Sequence, residues 1–519
     1  MSVRNNEFQR MLCKLYMLVV LCVLPLYTGG TYAQLGDTKY LLFRNVSFLC
    51  VALWLAAEAV FFVEKLLERR NGAVGIKGVV KGVGRTARVG AWSIMDTWMA
   101  AYGASVLLSA ILSPYGKAAW TGYRDWYMGA VSQLLFVAIY FMVSRCYDNS
   151  RLLIYLGEGT MLLVCVIAFL QRLQIDVLGL HKIFNEGDWE YKHMLSTVGN
   201  INWLCGYLSV VIAFSVSAYL HSGKKPKRIW HYLVSVAGLA LLCIQGSDIG
   251  WVLCAGCMGI CFVWGRKDIV ILHRSLLLTA GTIFGFASFG KLVFLRGSMA
   301  AMPADGNVYE RISWAGWWLV LAALLLLFGF LKWVQGRHGT FLIIMIVLII
   351  LLGLTGAALG RTDLPKDFWQ EGRGALWKLA WSGFSNANGL QKIVGAGPDC
   401  FAEYLHNGFQ TGTVIHTSGH WEGAVFANAH NEWLNQLVNI GILGTACYLG
   451  IFVTAIKRYR GILVGVLAAG LYFMNSLVSF QQVLNAPFLF LVLGLCENKL
   501  IVPPRSGGCD EEVYQGINP

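Results

Sequence analysis

A histidine, an asparagine and a glutamate stand together at residues 430–432, just before an apolar run that opens with Leu434. A neutral imidazole can accept a hydroxyl proton near pH 7, so His430 is a candidate base. Asn431 or Glu432 could orient its ring through a hydrogen bond. A single histidine is more often structural, but this one lies where a polar loop meets an apolar helix. The group predicts a site that deprotonates a hydroxyl.

Arg373 is the second candidate, because it precedes an aromatic stripe by one helical turn. Trp377, Trp381 and Phe384 are spaced at i, i+4 and i+7, which places them on one face of a helix. An arginine at the start of such a helix lies beside its positive end and is suited to bind a phosphate group. The same position equally suits an arginine that reaches lipid headgroups. We predict a helix at the lipid boundary with one of these two contacts at its start.

The composition places these residues in a membrane protein. Of the 519 residues, 57% are hydrophobic and only 13% are charged, against roughly 25% charged in a soluble domain. A soluble chain of this length would need several polar surfaces, so a soluble protein is excluded. The net charge of +13 is then better explained by basic cytoplasmic loops than by binding to nucleic acid.

Fourteen apolar stretches approach the length of about 20 residues that a bilayer requires. They are Leu15–Tyr32, Val46–Val63, Ala91–Leu112, Trp126–Val143, Leu152–Leu170, Ile201–Leu220, Trp230–Ile244, Ile249–Trp264, Leu276–Phe289, Trp314–Phe330, Phe341–Leu359, Ile440–Ile456, Ile462–Phe480 and Ala486–Leu495. The predicted fold class is therefore an all-α polytopic membrane protein with about 12–14 transmembrane helices. If the N-terminus is inside, most Lys and Arg residues fall on the same side. This distribution predicts that both termini are cytoplasmic.

One connection is much longer than the others and runs over residues 360–439 without an apolar span. It carries Arg361, Arg373 and His430, and loops of this length inside a compact bundle are usually functional. We therefore predict four parts. They are a transmembrane bundle over 1–359, a long extracytoplasmic catalytic loop over 360–439, further transmembrane helices over 440–498 and a cytoplasmic tail over 499–519.

Four short motifs together resemble those of a known family. The segment Ala427-Asn-Ala-His430-Asn431, with Gly441-Ile-Leu-Gly444, is similar to the AHNxxL…GilG signature of the O-antigen ligase and O-antigen polymerase superfamily. These are bacterial membrane glycosyltransferases. Three further segments resemble motifs of the same family. They are Arg373 with Trp377, Val394-Gly-Ala-Gly397-Pro398 and Gly199-Asn200-Ile-Asn202. The resemblance covers roughly residues 190–460.

One turn departs from the family pattern. Members often carry Ser-Arg-Gly in a tight turn between two spans that precede the long loop. Here the turn reads Ser247-Asp248-Ile249-Gly250, so it lacks a basic contact to phosphate. The contact is therefore missing, or it is supplied by Arg296 or Arg311 in the loop 294–313.

The resemblance implies an all-helical fold of the type-C glycosyltransferase kind in the bacterial inner membrane. The donor would be a polyprenyl-diphosphate-linked glycan, and transfer to a glycan or lipid-linked acceptor would invert the anomeric configuration at the extracytoplasmic face. His430 would act as the base, and Arg373 would bind the donor diphosphate and stabilise the leaving group. Further substrate contacts are expected from Asn200, Arg296, Arg311, Arg361, Asn431 and Glu432. No metal, nucleotide or other cofactor is expected.

The sequence does not encode the identity of the acceptor, so two kinds of enzyme remain possible. A polymerase transfers a lipid-linked chain onto another lipid-linked repeat unit, whereas a ligase uses lipid core, protein or a wall polymer; we favour the polymerase. A transporter or flippase is the rival from another class, since Glu58, Asp96 and Glu158 fall within spans. We find no repeated half, and the polar residues concentrate in one loop, which favours the enzyme. A non-catalytic scaffold of a polysaccharide export complex is a further alternative.

Overall fold

The computed structural model describes residues 2–70, 92–147, 150–185, 188–296, 372–408 and 426–501. Most of these residues are helical. The predicted spans Trp314–Phe330 and Phe341–Leu359 lie outside the described residues, as do Arg311 and Arg361.

The first half of the chain forms long helices joined by short connections. Helix α1 (Ser2–Leu18) continues through a π turn at Val19–Val23 and a last turn at Leu24–Leu26. The helices that follow are α2 (Leu35–Arg70), α3 (Ile94–Leu112), α4 (Lys117–Thr121), α5 (Ala130–Cys146), α6 (Arg151–Arg172) and α7 (Trp189–His193). A small antiparallel ribbon comes next, in which β1 (Met194–Leu195) pairs with β2 (Gly199–Asn200).

The remaining described helices include both long spans and short surface helices. They are α8 (Ile201–His221), α9 (Lys225–Ile244), α10 (Asp248–Trp264), α11 (Ile269–Leu295), α12 (Arg373–Asn386), α13 (Gly389–Val394), α14 (Phe401–Gly408), α15 (Glu432–Arg458), α16 (Leu463–Ser476) and α17 (Ala486–Ile501). Helix α12 begins at Arg373, as the aromatic stripe predicted.

Nine helices in the described part of the chain are long and apolar enough to cross a membrane. They lie in α1, α2, α3, α6, α8, α9, α10, α11 and α15. Helices α5 and α16 are apolar but shorter, with 17 and 14 residues. The chain is therefore an all-α, multi-pass membrane protein, as predicted, whereas the total of 12–14 spans stays a prediction.

Helix α8 occupies the centre of the bundle, where 89% of its apolar window is buried. It packs against α9 and α16, while α17 packs against α5. Helix α15 lies along α3 and also contacts α16 and α13. The helix that follows His430 is therefore supported on several sides.

The three acids predicted to lie within spans each have a protein partner. The pairs are Arg145 Nη2 with Asp96 at 2.7 Å, His231 Nδ1 with Glu158 at 2.8 Å and Gln9 Nε2 with Glu58 at 3.0 Å. A buried carboxylate is tolerated when it is paired and hydrogen-bonded. Each of these acids thus has a structural role in holding two helices together.

Helix α15 is broken at Gly441, where φ is +66° and ψ is −171°. A Cβ atom at this position would collide with the carbonyl of Ile393 and the amide of Gly395. Only glycine combines this backbone conformation with so close an approach of another chain segment. The break divides α15 into a first half that starts at Glu432 and a second half that ends at Arg458.

Candidate functional site

Several connections between helices meet at one end of the bundle. They are residues 113–129, 194–200, 245–247, 395–400, 426–431 and 477–485. Hydrogen bonds join them, for example from the Tyr123 amide to Asp399 at 2.8 Å and from Asn431 Nδ2 to the Leu477 carbonyl at 2.9 Å. Both predicted catalytic residues, His430 and Arg373, lie at this end.

His430 precedes α15 in an unusual backbone conformation. Its φ is +48°, which is uncommon for a residue other than glycine. The backbone amide donates to Asn428 Oδ1 at 3.0 Å, which helps to hold this conformation. The imidazole is half-buried and meets the ring of Phe480 edge-on, with the centroids 5.3 Å apart. Among the described residues, no hydrogen bond occupies its ring nitrogens, so they are free to meet a ligand.

The surroundings of His430 favour the neutral imidazole. Burial lowers its pKa to about 4, and the positive charge of Arg373 lowers it further in the same direction. The ring is therefore uncharged near pH 7 and can accept a proton. The effect of Arg373 also shows that the two predicted catalytic residues lie within electrostatic reach of each other.

Arg373 is held at the first residue of α12 by a polar group from the opposite side of the site. Its Nη2 donates to Asn202 Oδ1 at 3.4 Å, and the same oxygen accepts from Ser247 Oγ at 2.7 Å. Burial lowers the pKa of Arg373, and the negative charge of Asp248 opposes that change. An arginine keeps its proton under these conditions. The site thus contains a positive charge at Arg373 and a neutral imidazole at His430.

The turn at residues 394–398, which we call the glycine turn, is hydrogen-bonded directly to the break in α15. The break leaves the carbonyls of Val438 and Asn439 without helical partners, and they accept from the amides of Ala396 and Gly397, both at 2.9 Å. Ser109 on α3 donates to the same Asn439 carbonyl at 3.0 Å. Two motifs that are separate in the sequence therefore form one structural unit behind His430.

Asn431 and Glu432 are both engaged within the protein. Asn431 Oδ1 caps α15 by accepting from the amides of Trp433 and Leu434 at 3.0 and 3.1 Å. Glu432 is buried and accepts hydrogen bonds from the hydroxyls of two tyrosines, one on α15 and one on α16. No hydrogen bond from either side chain to His430 is found among the described residues.

No family model matches the chain, and no curated protein matches it. The family resemblance therefore rests on the motifs themselves. No group of three or more His, Cys, Asp or Glu side chains within the described residues could hold a metal ion. The absence of a cofactor stays a prediction.

The remaining predicted contacts lie in different places. Asn200 Oδ1 caps α8 by accepting from the Asn202 amide at 2.9 Å, so it lies beside the residue that contacts Arg373. Arg296 is exposed at the end of α11, and no hydrogen bond or ion pair joins it to the described part of the site. Arg311 and Arg361 fall outside the described residues.

The sequence reasoning did not single out four side chains of this site. Asn202 lies in a segment that resembles a family motif, and Asp248 lies in the turn that departs from the family pattern, but neither had a role assigned. Phe480 and Trp126 belong to connections that looked like ordinary span ends, and their rings meet edge-on at 4.8 Å. The sequence did contain a signal for Asn202, since it is the second asparagine of the Gly199–Asn202 motif. Only the fold brings the two aromatic residues together.

A small polar cavity, partly open to solvent, lies next to His430. Its wall contains six amide side chains, and we call it the amide pocket. These are Gln133, Asn428, Asn435, Gln436, Asn439 and Gln481. Asp399, Glu432, Trp126 and Phe480 also line it. Asp399 anchors the wall, since its Oδ2 accepts from the amides of Tyr123 and Met128 at 2.8 and 2.9 Å.

Proposed function

We propose that the protein is a membrane glycosyltransferase that moves a glycan from a polyprenyl diphosphate to a sugar hydroxyl at the extracytoplasmic face. The observation that carries the proposal is the half-buried imidazole of His430, whose ring nitrogens make no hydrogen bond among the described residues, at the same end of the bundle as Arg373. The lowered pKa of His430, to which the charge of Arg373 contributes, supports it. The motif resemblance supplies the donor class. Transfer onto a second lipid-linked repeat unit, as in an O-antigen polymerase, is the form we favour.

The proposed reaction uses each residue for one task. His430 accepts the proton of the acceptor hydroxyl as its oxygen forms a bond to the anomeric carbon of the donor. The bond between that carbon and the diphosphate oxygen breaks, and the diphosphate leaves with the electron pair. Arg373 stabilises the negative charge on the leaving group. Attack from the face opposite the diphosphate inverts the anomeric centre.

Donor binding would also strengthen the base. In the free protein the positive charge of Arg373 disfavours the protonated form of His430. A bound diphosphate neutralises that charge, so the pKa of His430 rises and the imidazole accepts a proton more readily. The proposal therefore accounts for an arginine beside a base, an arrangement that would otherwise weaken the base.

The test is transfer by purified protein in detergent, with a polyprenyl-diphosphate oligosaccharide as donor and no ion gradient. We expect His430→Gln and Arg373→Gln to lose transfer by at least about a hundredfold. The matched controls are His193→Gln and Arg124→Gln. His193 is hydrogen-bonded to its own helix, and the Arg124 side chain is 81% exposed. Both controls should transfer at the wild-type rate.

The outcomes separate the proposal from its rivals. Full activity in His430→Gln would overturn the assignment of the base. Movement of the lipid-linked glycan across vesicles without any glycosidic bond formation would indicate a flippase. Supplying a lipid-linked repeat unit in one reaction and a lipid core acceptor in another distinguishes polymerase from ligase by the product formed.

A further inference from the structure

The amide pocket lies beside His430, yet neither His430 nor Arg373 is part of its wall. The two are connected through Phe480, which lines the pocket and also meets the His430 ring edge-on at 5.3 Å. A group bound in the pocket would therefore be held close to the imidazole.

The wall offers hydrogen-bond donors and acceptors without a positive charge. Amide side chains supply both kinds of group, and Asp399 and Glu432 add carboxyl groups. The residues that line the pocket include no lysine, arginine or histidine. Among the described residues of this wall, a phosphate or carboxylate would meet two carboxyl groups and no cation, so such a ligand is disfavoured. Neutral hydroxyl groups match this wall.

Two of the buried amides carry polar atoms without a hydrogen-bond partner among the described residues. Gln481 is 4% exposed and Asn439 is 3% exposed. Within the described residues, Gln481 Nε2 and Oε1 and Asn439 Oδ1 make no hydrogen bond of acceptable geometry, although Gln481 lies near Tyr102 and Glu432. Unpaired buried polar atoms are costly, so they indicate a ligand with its own donors and acceptors.

The pocket also has an aromatic side. Phe480 is buried, whereas Trp126 is half-buried and keeps part of its ring accessible. The C–H face of a sugar ring is apolar and packs against an aromatic ring, while its hydroxyl groups need polar partners. Aromatic rings on one side and amides on the other satisfy both requirements.

We propose that the amide pocket binds one edge of a single neutral monosaccharide. A sugar hydroxyl would enter the pocket and pair with Gln481 and Asn439, and the ring would lie against Trp126. The enclosed part of the pocket has room for about one water-sized group, so one hydroxyl enters it and the rest of the glycan stays outside. In the proposed transferase, and resting on that proposed function, this sugar is the end of the acceptor glycan, held with a hydroxyl towards His430. Uronic acids and phosphorylated sugars are poor ligands.

The test measures sugar binding without any reaction. Saturation-transfer NMR is recorded on the full-length protein in a sugar-free detergent. The probes are a panel of neutral methyl glycosides and methyl glucuronide. We expect at least one neutral glycoside to bind and the glucuronide not to bind. The affinity for that glycoside should fall about tenfold in Gln481→Ala and in Trp126→Ala, as expected from the loss of one or two contacts.

Gln482→Ala is the matched control, because Gln482 is the neighbouring buried glutamine and does not line the pocket. It should bind like the wild type. Binding should also persist in His430→Gln, which separates this inference from the proposed function. A pocket that binds sugar in a protein without transferase activity would overturn only the acceptor role. No bound neutral glycoside, equal binding of the glucuronide or unchanged binding in Gln481→Ala would overturn the pocket itself.

Discussion

The Gly397 amide donates to the Asn439 carbonyl at 2.9 Å, in the gap left by the broken helix α15. The same Asn439 projects its side chain into the amide pocket. The glycine turn therefore fixes the position of the first half of α15 in the bundle, and with it the position of His430. The position of His430 and the shape of the pocket both depend on this backbone junction.

A methyl group at the break should destabilise this junction. Gly441→Ala forces a side chain into a left-handed conformation and against the Ile393 carbonyl, so we expect a loss of at least about 2 kcal/mol in the free energy of unfolding. Gly389→Ala is the control, since a Cβ there meets nothing within 4 Å. Thermal unfolding in detergent measures both variants. Equal stability of the two would show that the break does not require glycine.

The cap of α15 predicts a difference between two substitutions of one residue. Asn431→Ala removes the acceptor for two helix amides and should cost about 1 kcal/mol. Asn431→Asp keeps that acceptor but loses the donor to the Leu477 carbonyl, so its stability should lie between those of Ala and wild type. The melting temperatures give this order. A lower melting temperature for Asp than for Ala would contradict it.

The acidity of His430 should be visible in its chemical reactivity. Diethyl pyrocarbonate modifies neutral imidazole, and the pKa of His430 is lowered to about 4. Its modification rate, followed by mass spectrometry, should stay constant from pH 8 to about 5, whereas a histidine peptide with a pKa of about 6.5 loses reactivity. For the same reason the fold should lose stability as the pH falls from about 6.5 towards 4.

Arg373→Gln should shift the pH dependence of the His430 modification rate. Removal of the positive charge raises the pKa of His430, so the loss of reactivity should begin at a higher pH than in the wild type. The profile should still lie below that of the peptide, because burial is the larger cause and remains. An unchanged profile would mean that the two side chains are not coupled.

Asp248 should weaken the binding of an anionic donor. Its negative charge acts on Arg373, so Asp248→Asn should tighten the binding of a polyprenyl diphosphate by about two- to fivefold, the range of a solvent-screened charge pair. Asp268→Asn is the control, because Asp268 caps α11 and asparagine caps equally well. Binding measured at two salt concentrations tests this charge effect. Weaker binding by Asp248→Asn would assign Asp248 a supporting role.

Much of the helical plan could be predicted from apolar runs. The span expected at Ile201–Leu220 is α8 over Ile201–His221, and Arg373 begins α12 as its aromatic stripe indicated. The motif at His430 and Asn431 indicated a helix whose apolar face opens at Leu434, and α15 begins at Glu432. The hydropathy pattern alone placed the start of the span at Ile440, eight residues later. Polar residues interrupt the apolar run there because they face the amide pocket. Hydropathy alone treats such a segment as a loop.

The contents of the site were harder to predict than its location. Gln481 lies in a connection between two helices and reaches the pocket only through the packing of α16 beside α15. Nothing in the spacing of Gln481 relates it to Gln133 or Asn428. Side chains that meet across a bundle carry no local periodicity, so the fold is needed to find them.

The polar face of the first half of α15 constrains how the chain enters the bilayer. Glu432, Asn435, Gln436 and Asn439 make this half costly to expose to lipid by itself. Because α3 and α5 precede α15 in the chain, they are synthesised first. Part of the surface against which α15 packs is therefore present when α15 is made. Gln481 and α16 arrive afterwards and cover the rest. Until they are synthesised, the polar side chains of this half lack part of their partner surface, so we expect truncation before α16 to impair the insertion of α15.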